Sequence, residues 1–144
     1  MRKQGDGNDR FYVMALTDVG TSKYRLANSQ MSGTTTTFGS GKTNTQTLIG
    51  KADFNSSLKE QIQPKVNKGW FIPSKEEWSA FGGELGIMPS NYSAKGLSPV
   101  YWSSSQNMTS TYDAWQADFT SGFMRGYNTN HNYGSYYVRL VTTF

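Results

Sequence analysis

An α+β domain with an antiparallel sheet is the fold class this sequence predicts, and three observations predict it. Strand-like segments bracket the helical ones instead of alternating with them, which argues against a parallel sheet. One helix start is sharply marked: Ser74 is followed three residues later by Glu77, the pattern of a capping box. Long stretches of Gly, Ser, Thr and Asn separate these elements, so loops are long and the helices few and short. At 144 residues the chain suits one domain. Residues 11–144 are assigned to it, and the polar, glycine-bearing residues 1–10 to a flexible N-terminal stub.

In chain order, Phe11 to Thr17 is apolar enough for a strand buried on both faces. Asp18 to Ser22 reads as a turn, and Tyr24 to Ala27 as the partner strand of a hairpin. Residues 28–47 have the composition of a loop, with a short helix over Thr43 to Ala52 turning Leu48 and Ile49 inward. Ser56 to Val66 is a second helix, with Leu58, Ile62 and Val66 spaced by four; Pro64 should end or kink it. Gly69 to Ile72 is a short buried strand. The helix capped by Ser74 sets Trp78, Phe81 and Leu85 on one face and stops at Gly86. Tyr101 to Ser105 is a strand. From Ala114 to Phe119 residues alternate, with Trp115, Ala117 and Phe119 on one face and Gln116 and Asp118 on the other. Gly122 permits a turn before a return strand at Phe123–Met124, and Tyr136 to Phe144 closes the sheet. Only 35% of residues are hydrophobic but 15% are aromatic, so the expected core is made of rings: Trp70, Trp78, Phe81, Trp102, Trp115 and Phe119, with Val138. Arg139, in the closing strand, is expected to form a structural ion pair or backbone contacts.

Charge and composition narrow the function. The net charge of +4 lies before residue 80, and no basic face is visible, which argues against nucleic-acid binding. From Ser103 to Phe144 only Asp113, Asp118, Arg125 and Arg139 are charged. The absence of cysteine excludes disulfides, thiolate catalysis and Cys-ligated zinc. No apolar run approaches the roughly 20 residues of a membrane span. Met1 to Gly7 begins basic but lacks the apolar stretch of a secretory signal.

Three candidate chemistries fail on spacing. Gly39-Ser40-Gly41-Lys42-Thr43 has the end of a phosphate-binding loop, but Thr36 stands where its first glycine belongs. His131 is the only histidine and lies in a polar run, without the partners of a nucleophile–base pair or a zinc site. Asp113 and Asp118 are five apart on a strand, an odd spacing that separates their faces and spoils a glycosidase pair. No catalytic residue, metal or cofactor is therefore expected; a hydrolase working through Asp113 or Asp118 is the weakest reading.

Three segments together resemble a known family. Gly69-Trp70-Phe71-Ile72-Pro73-Ser74-Lys75-Glu76-Glu77-Trp78, Tyr101-Trp102-Ser103-Ser104-Ser105, and Ala114-Trp115 through Gly122 with Tyr137-Val138-Arg139-Leu140 are similar, in order and separation, to the conserved core of bacterial and phage C-type-lectin-like domains. The tail also resembles the variable proteins of diversity-generating retroelements, in which adenine-directed rewriting leaves codons for Asn, Tyr, Ser, Asp, Thr, His or Gly. Of the 35 residues from Ser103 to Tyr137, 22 are Asn, Ser, Thr, Tyr, Asp or His. The resemblance covers roughly residues 11–144. It implies a C-type-lectin-like fold, a twisted antiparallel sheet with a few short helices and long loops, bearing a variable ligand-binding tail over about 103–137. It does not imply calcium-mediated sugar binding, because the Glu-Pro-Asn and Trp-Asn-Asp sequences of such lectins are missing, nor formylglycine-generating activity, which needs cysteines.

The residues of the tail support binding in their own right. Five of the nine tyrosines lie there, beside Ser, Asn and Gly, the mixture used by antibody paratopes. The expected ligand surface is Ser105, Asn107, Tyr112, Asp113, Gln116, Thr120, Arg125, Tyr127, Asn128, Asn130, His131 and Tyr133. The expected function is non-enzymatic recognition of a protein or glycan on a target cell surface, from a virion tail or a cell surface, with no nucleic acid and no membrane span. The alternative is a structural module that assembles with copies of itself or with a fibre partner.

Overall fold

The structure, a computed structural model, describes residues 2–3, 10–22, 33–106, 113–121, 129–130 and 136–144. The fold is α+β. Its helices are α1 (Gly41–Ile49), α2 (Ser56–Val66) and α3 (Lys75–Glu84). Its strands are β1 (Arg2–Lys3), β2 (Arg10–Met14), β3 (Gly20–Ser22), β4 (Val100–Gln106), β5 (Asp113–Asp118), β6 (Thr129–Asn130), β7 (Tyr136–Val138) and β8 (Val141–Thr143). They form a three-stranded sheet in the order β1-β2-β8 and a five-stranded one in the order β3-β7-β4-β5-β6.

The larger sheet is mixed, which corrects the expected antiparallel one. Strand β7 runs parallel to β4, with Tyr101 opposite Tyr137, while the other ladders are antiparallel. Strands β6 and β7 therefore run in the same direction on opposite sides of the β4–β5 pair. Side-chain alternation marks a strand but carries no information about its direction.

Strand β4 divides the interior. Trp102 packs with Leu48, Leu58, Ile62, Ile72 and Leu140 on one face, against α1 and α2. Its neighbour Tyr101 points the other way and packs with Tyr12, Phe71, Trp78, Phe81 and Phe119, against α3. The ring-built core expected from composition is concentrated on this second face, although Trp102 and Phe54 are buried on the first. There Trp78 stacks on Tyr101 at 4.7 Å between centroids, and Phe119 meets both edge-on. The first face is largely aliphatic.

Local signals explain most helix boundaries. The Ser74 hydroxyl accepts from Glu77 N–H and the Glu77 carboxylate accepts from Ser74 N–H, which completes the capping box of α3. Trp78 and Phe81 are buried by that helix, but Leu85 sits at its C-cap, past the last turn, and is exposed. Pro64 does not end α2. Only two residues follow it, so it falls in the last turn, where few later bonds remain to be disturbed.

Four expectations are revised by pairing between distant segments. Gly20–Ser22, read as part of a turn, is an edge strand on β7; Gly20 has φ 135, open to glycine alone. The single closing strand is two, β7 and β8, in different sheets, broken where Arg139 turns to an ion pair. Within the expected N-terminal stub, Arg2 and Lys3 pair with Phe11 and Arg10. The strand expected at Gly69–Ile72 is reduced to one bridge, Phe71 with Val141. The hairpin strand at Tyr24–Ala27 and the return strand at Phe123–Met124 lie outside the described residues.

Candidate recognition surface

The serines that follow Trp102 form a clamp. Trp102 lies opposite Gln116 and Gln106 opposite Ala114, so three residues of β4, Ser103 to Ser105, face Trp115 alone in a bulge. The hydroxyls of Ser103 and Ser105 meet backbone groups. Ser103 Oγ donates to Trp115 O at 2.7 Å, and Ser105 Oγ donates to Thr35 O at 2.7 Å while accepting Lys75 N–H at 3.0 Å. Ser104 Oγ meets Asn44 Nδ2, whose side chain also brackets Thr35 through both its N–H and its carbonyl. Strand β4, α1, the start of α3 and the segment before α1 are thereby fastened together.

Two of the expected binding residues are corrected by this geometry. Ser105 is fully buried in the clamp. Gln116 is buried too, because it shares the face of its cross-strand partner Trp102, which α1 and α2 cover. In a sheet covered on both sides, alternation separates two faces without separating inside from outside. Of the others, Asp113 and Asn130 are brought directly opposite each other across β5 and β6, at the edge of the larger sheet. Thr120 is exposed just past β5, its N–H and hydroxyl both donating to Asp118 Oδ1 in a tight turn. Asn107, Tyr112, Arg125, Tyr127, Asn128, His131 and Tyr133 lie outside the described residues.

Trp115 is the departure on the outward side. Assigned to the core, it is half-buried and in neither cluster, with Lys75 Nζ 3.8 Å above its ring. It shares the face of Ala117 but sits two residues nearer the start of β5, where the first residue of α3 lies over its ring. No sequence signal links Lys75 to Trp115; the contact is 40 residues long. Tyr136 and Tyr137 are both half-buried: Tyr136 packs on Trp102 at 4.9 Å and Tyr137 on Tyr101 at 6.2 Å.

The partial phosphate-loop motif has a physical obstacle. The N–H of Gly41, first residue of α1, donates to Glu77 Oε1 at 2.9 Å, so the chain's own carboxylate occupies the seat an anion would take. Glu76 does the same for Phe38 N–H. Among the described residues no group of three or more His, Asp or Glu could hold a metal ion, and no helix is long and apolar enough to cross a membrane.

Arg139 forms both kinds of contact expected of it. Its Nε donates to Asp18 Oδ1 at 2.6 Å and its Nη2 to Gly96 O at 2.8 Å. Asp18 also accepts from the Tyr101 hydroxyl at 2.8 Å and the Ser98 hydroxyl at 2.6 Å, while Ser98 N–H donates to the Tyr101 oxygen. Burial pushes the Tyr101 phenol up to about 12, against the lowering pull of the Ser98 N–H and with some help from the Asp18 carboxylate. The unfolded phenol loses its proton near 10, so between 10 and 12 the folded state holds more protons and stability falls as pH rises. Urea unfolding across that window should show a loss on the order of 1–2 kcal/mol after allowance for solvent screening. A Tyr101→Phe variant should lose less.

An α+β domain whose central strand is fastened to two helix starts by buried hydroxyls is the class that the fold and this surface define. No protein-family model, curated protein or solved structure matches the chain.

Proposed function

We propose that this chain is a non-enzymatic recognition domain of the C-type-lectin-like kind, with its ligand surface at the β5–β6 edge and the segments joined to it. One observation carries the reading: the three motif segments are hydrogen-bonded to one another. Trp78 Nε1 donates to Trp102 O, Lys75 N–H to Ser105 Oγ, and Ser103 Oγ to Trp115 O. Strand β6 pairs in turn with β5. A fixed scaffold lowers the ordering cost of binding, so side chains at its edge can change without unfolding the domain. Ser105 and Gln116 belong to the scaffold; the proposed surface comprises Asn107, Tyr112, Asp113, Thr120, Arg125, Tyr127, Asn128, Asn130, His131 and Tyr133, together with Trp115 and Lys75. The expected ligand is a protein or glycan of a target cell surface, met by a domain carried on a virion tail or a cell.

Binding of the labelled domain to a panel of intact bacterial strains tests this. Tyr127→Ala and Tyr133→Ala should each weaken binding about tenfold or more, as rigid aromatic anchors do, with Tm almost unchanged. Ser105→Ala should instead lower stability by about 1–3 kcal/mol, by stranding Lys75 N–H, while Thr35 C=O keeps its bond from Asn44 Nδ2. Tyrosine variants that unfold, or that bind as the parent does, refute the assignment.

A second reading, a structural assembly module, has its own observation. Phe11 and Phe144 stack at 5.9 Å on the outer side of β2 and β8, yet stay 51% and 74% exposed, with Val13 beside them. Exposed rings of this kind mark contact surfaces. If this face assembles, light scattering after size exclusion should find an oligomer that Phe144→Ser dissociates; a monomer at all concentrations rejects it.

A further inference from the structure

None of the residues lining a second candidate site comes from β5 or β6. A cleft of about 320 Å³ opens beside the end of β2 and the C-terminus of α3. Met14, Leu16, Leu85 and Leu97 supply most of its apolar lining, and Lys95 and Arg139 its charge. We propose that this cleft binds a small carboxylate with an apolar body, the tail held by the leucines and the charge met by Lys95.

The leucines are the first support. Leu16 is 93% exposed and Leu85 45%, although both belong to a concave surface. Large apolar side chains left in water around a cavity are what a binding site for an apolar group requires. The cations are the second support, and they are not equivalent. Arg139 is committed to Asp18 and Gly96 O, and its charge is neutralised by that carboxylate. Lys95 is exposed and, among the described residues, its ammonium forms no ion pair or hydrogen bond. One uncommitted cation on an apolar cleft suits a monoanion. A phosphate would need several converging donors, and a neutral molecule would gain nothing from Lys95. The volume is near the lower end of small-ligand pockets, which fits a body of about eight carbons.

The test is an NMR titration of the full ¹⁵N-labelled chain with octanoate and, separately, with 1-octanol. Octanoate should produce saturable shifts at Leu16, Leu85 and Lys95, with a dissociation constant of about 1 mM or tighter. The alcohol should bind up to about fivefold more weakly, as one exposed ion pair allows. Lys95→Met should bring octanoate down to the level of the alcohol and leave the alcohol unchanged; Leu16→Glu should abolish both. These positions are exposed, so the variants keep the fold, which their spectra report. Equal binding of alcohol and acid, no effect of Lys95→Met, or no saturable shift at the cleft each overturns the proposal. Tyr127→Ala and Tyr133→Ala should leave the octanoate titration unchanged, so its outcome is independent of the recognition surface.

Discussion

Replacing Asp18 with Ala is expected to lower the unfolding free energy by about 3–5 kcal/mol, because it leaves a guanidinium buried without its counter-ion. Arg139 is 7% exposed and Asp18 15%. After the substitution Arg139 would keep only the Gly96 carbonyl and a 5.7 Å approach to the Tyr101 ring. The hydroxyls of Tyr101 and Ser98 would lose their acceptor as well. The contact joins residues 121 apart in sequence, so its loss frees the segment between β2 and β3 from the one between β7 and β8. Urea unfolding with an unchanged m value measures the effect. The double variant Asp18→Leu, Arg139→Met should recover the part of the loss that comes from the unpaired guanidinium, but not the part that comes from the Tyr101 and Ser98 hydroxyls. A single variant that loses under about 1 kcal/mol would show that the pair contributes no more than an exposed one.

The same substitution at two glycines is expected to act in opposite directions. A methyl at Gly41 would fall on Glu77 Oε1 and lie 2.9 Å from both Ile72 O and Phe71 Cδ2. The carboxylate would have to leave, and the N–H groups of Gly41 and Ser74 would lose their acceptor. Gly41→Ala should therefore cost about 2–4 kcal/mol, the sum of overpacking and stranded donors. Gly83, inside α3, has no atom within 4 Å of such a methyl. Gly83→Ala should raise stability by roughly 0.5–1 kcal/mol through helix propensity. Thermal and urea unfolding of both variants decide the matter; equal effects would remove Glu77 from its role as the link between α1 and α3.

The elements with local causes were legible from the chain. The capping box at Ser74, the four-residue spacing of Leu58 and Ile62, and the inward Leu48 and Ile49 are periodic or short-range signals, and each appears where it was expected. Less of the candidate surface was legible. Ser103 to Ser105 read as strand, as they are, but no local signal shows that the hydroxyls of Ser103 and Ser105 serve backbone groups brought from residues 35, 75 and 115. Gln116 looks outward by alternation, yet helices cover its face. Trp115 looks like core, yet it is half-buried, in neither core cluster, with Lys75 over its ring.

By itself the sequence determined the α+β class, the three helices and most of the strand positions, because helix periodicity, capping and strand alternation act over a few residues. Tertiary structure alone decided the parallel β4–β7 pairing, the division of the interior into a ring-rich and an aliphatic half, and which tail residues are buried. Those outcomes depend on which distant backbone groups meet, and hydrogen-bonding demand is the same for every residue that can satisfy it.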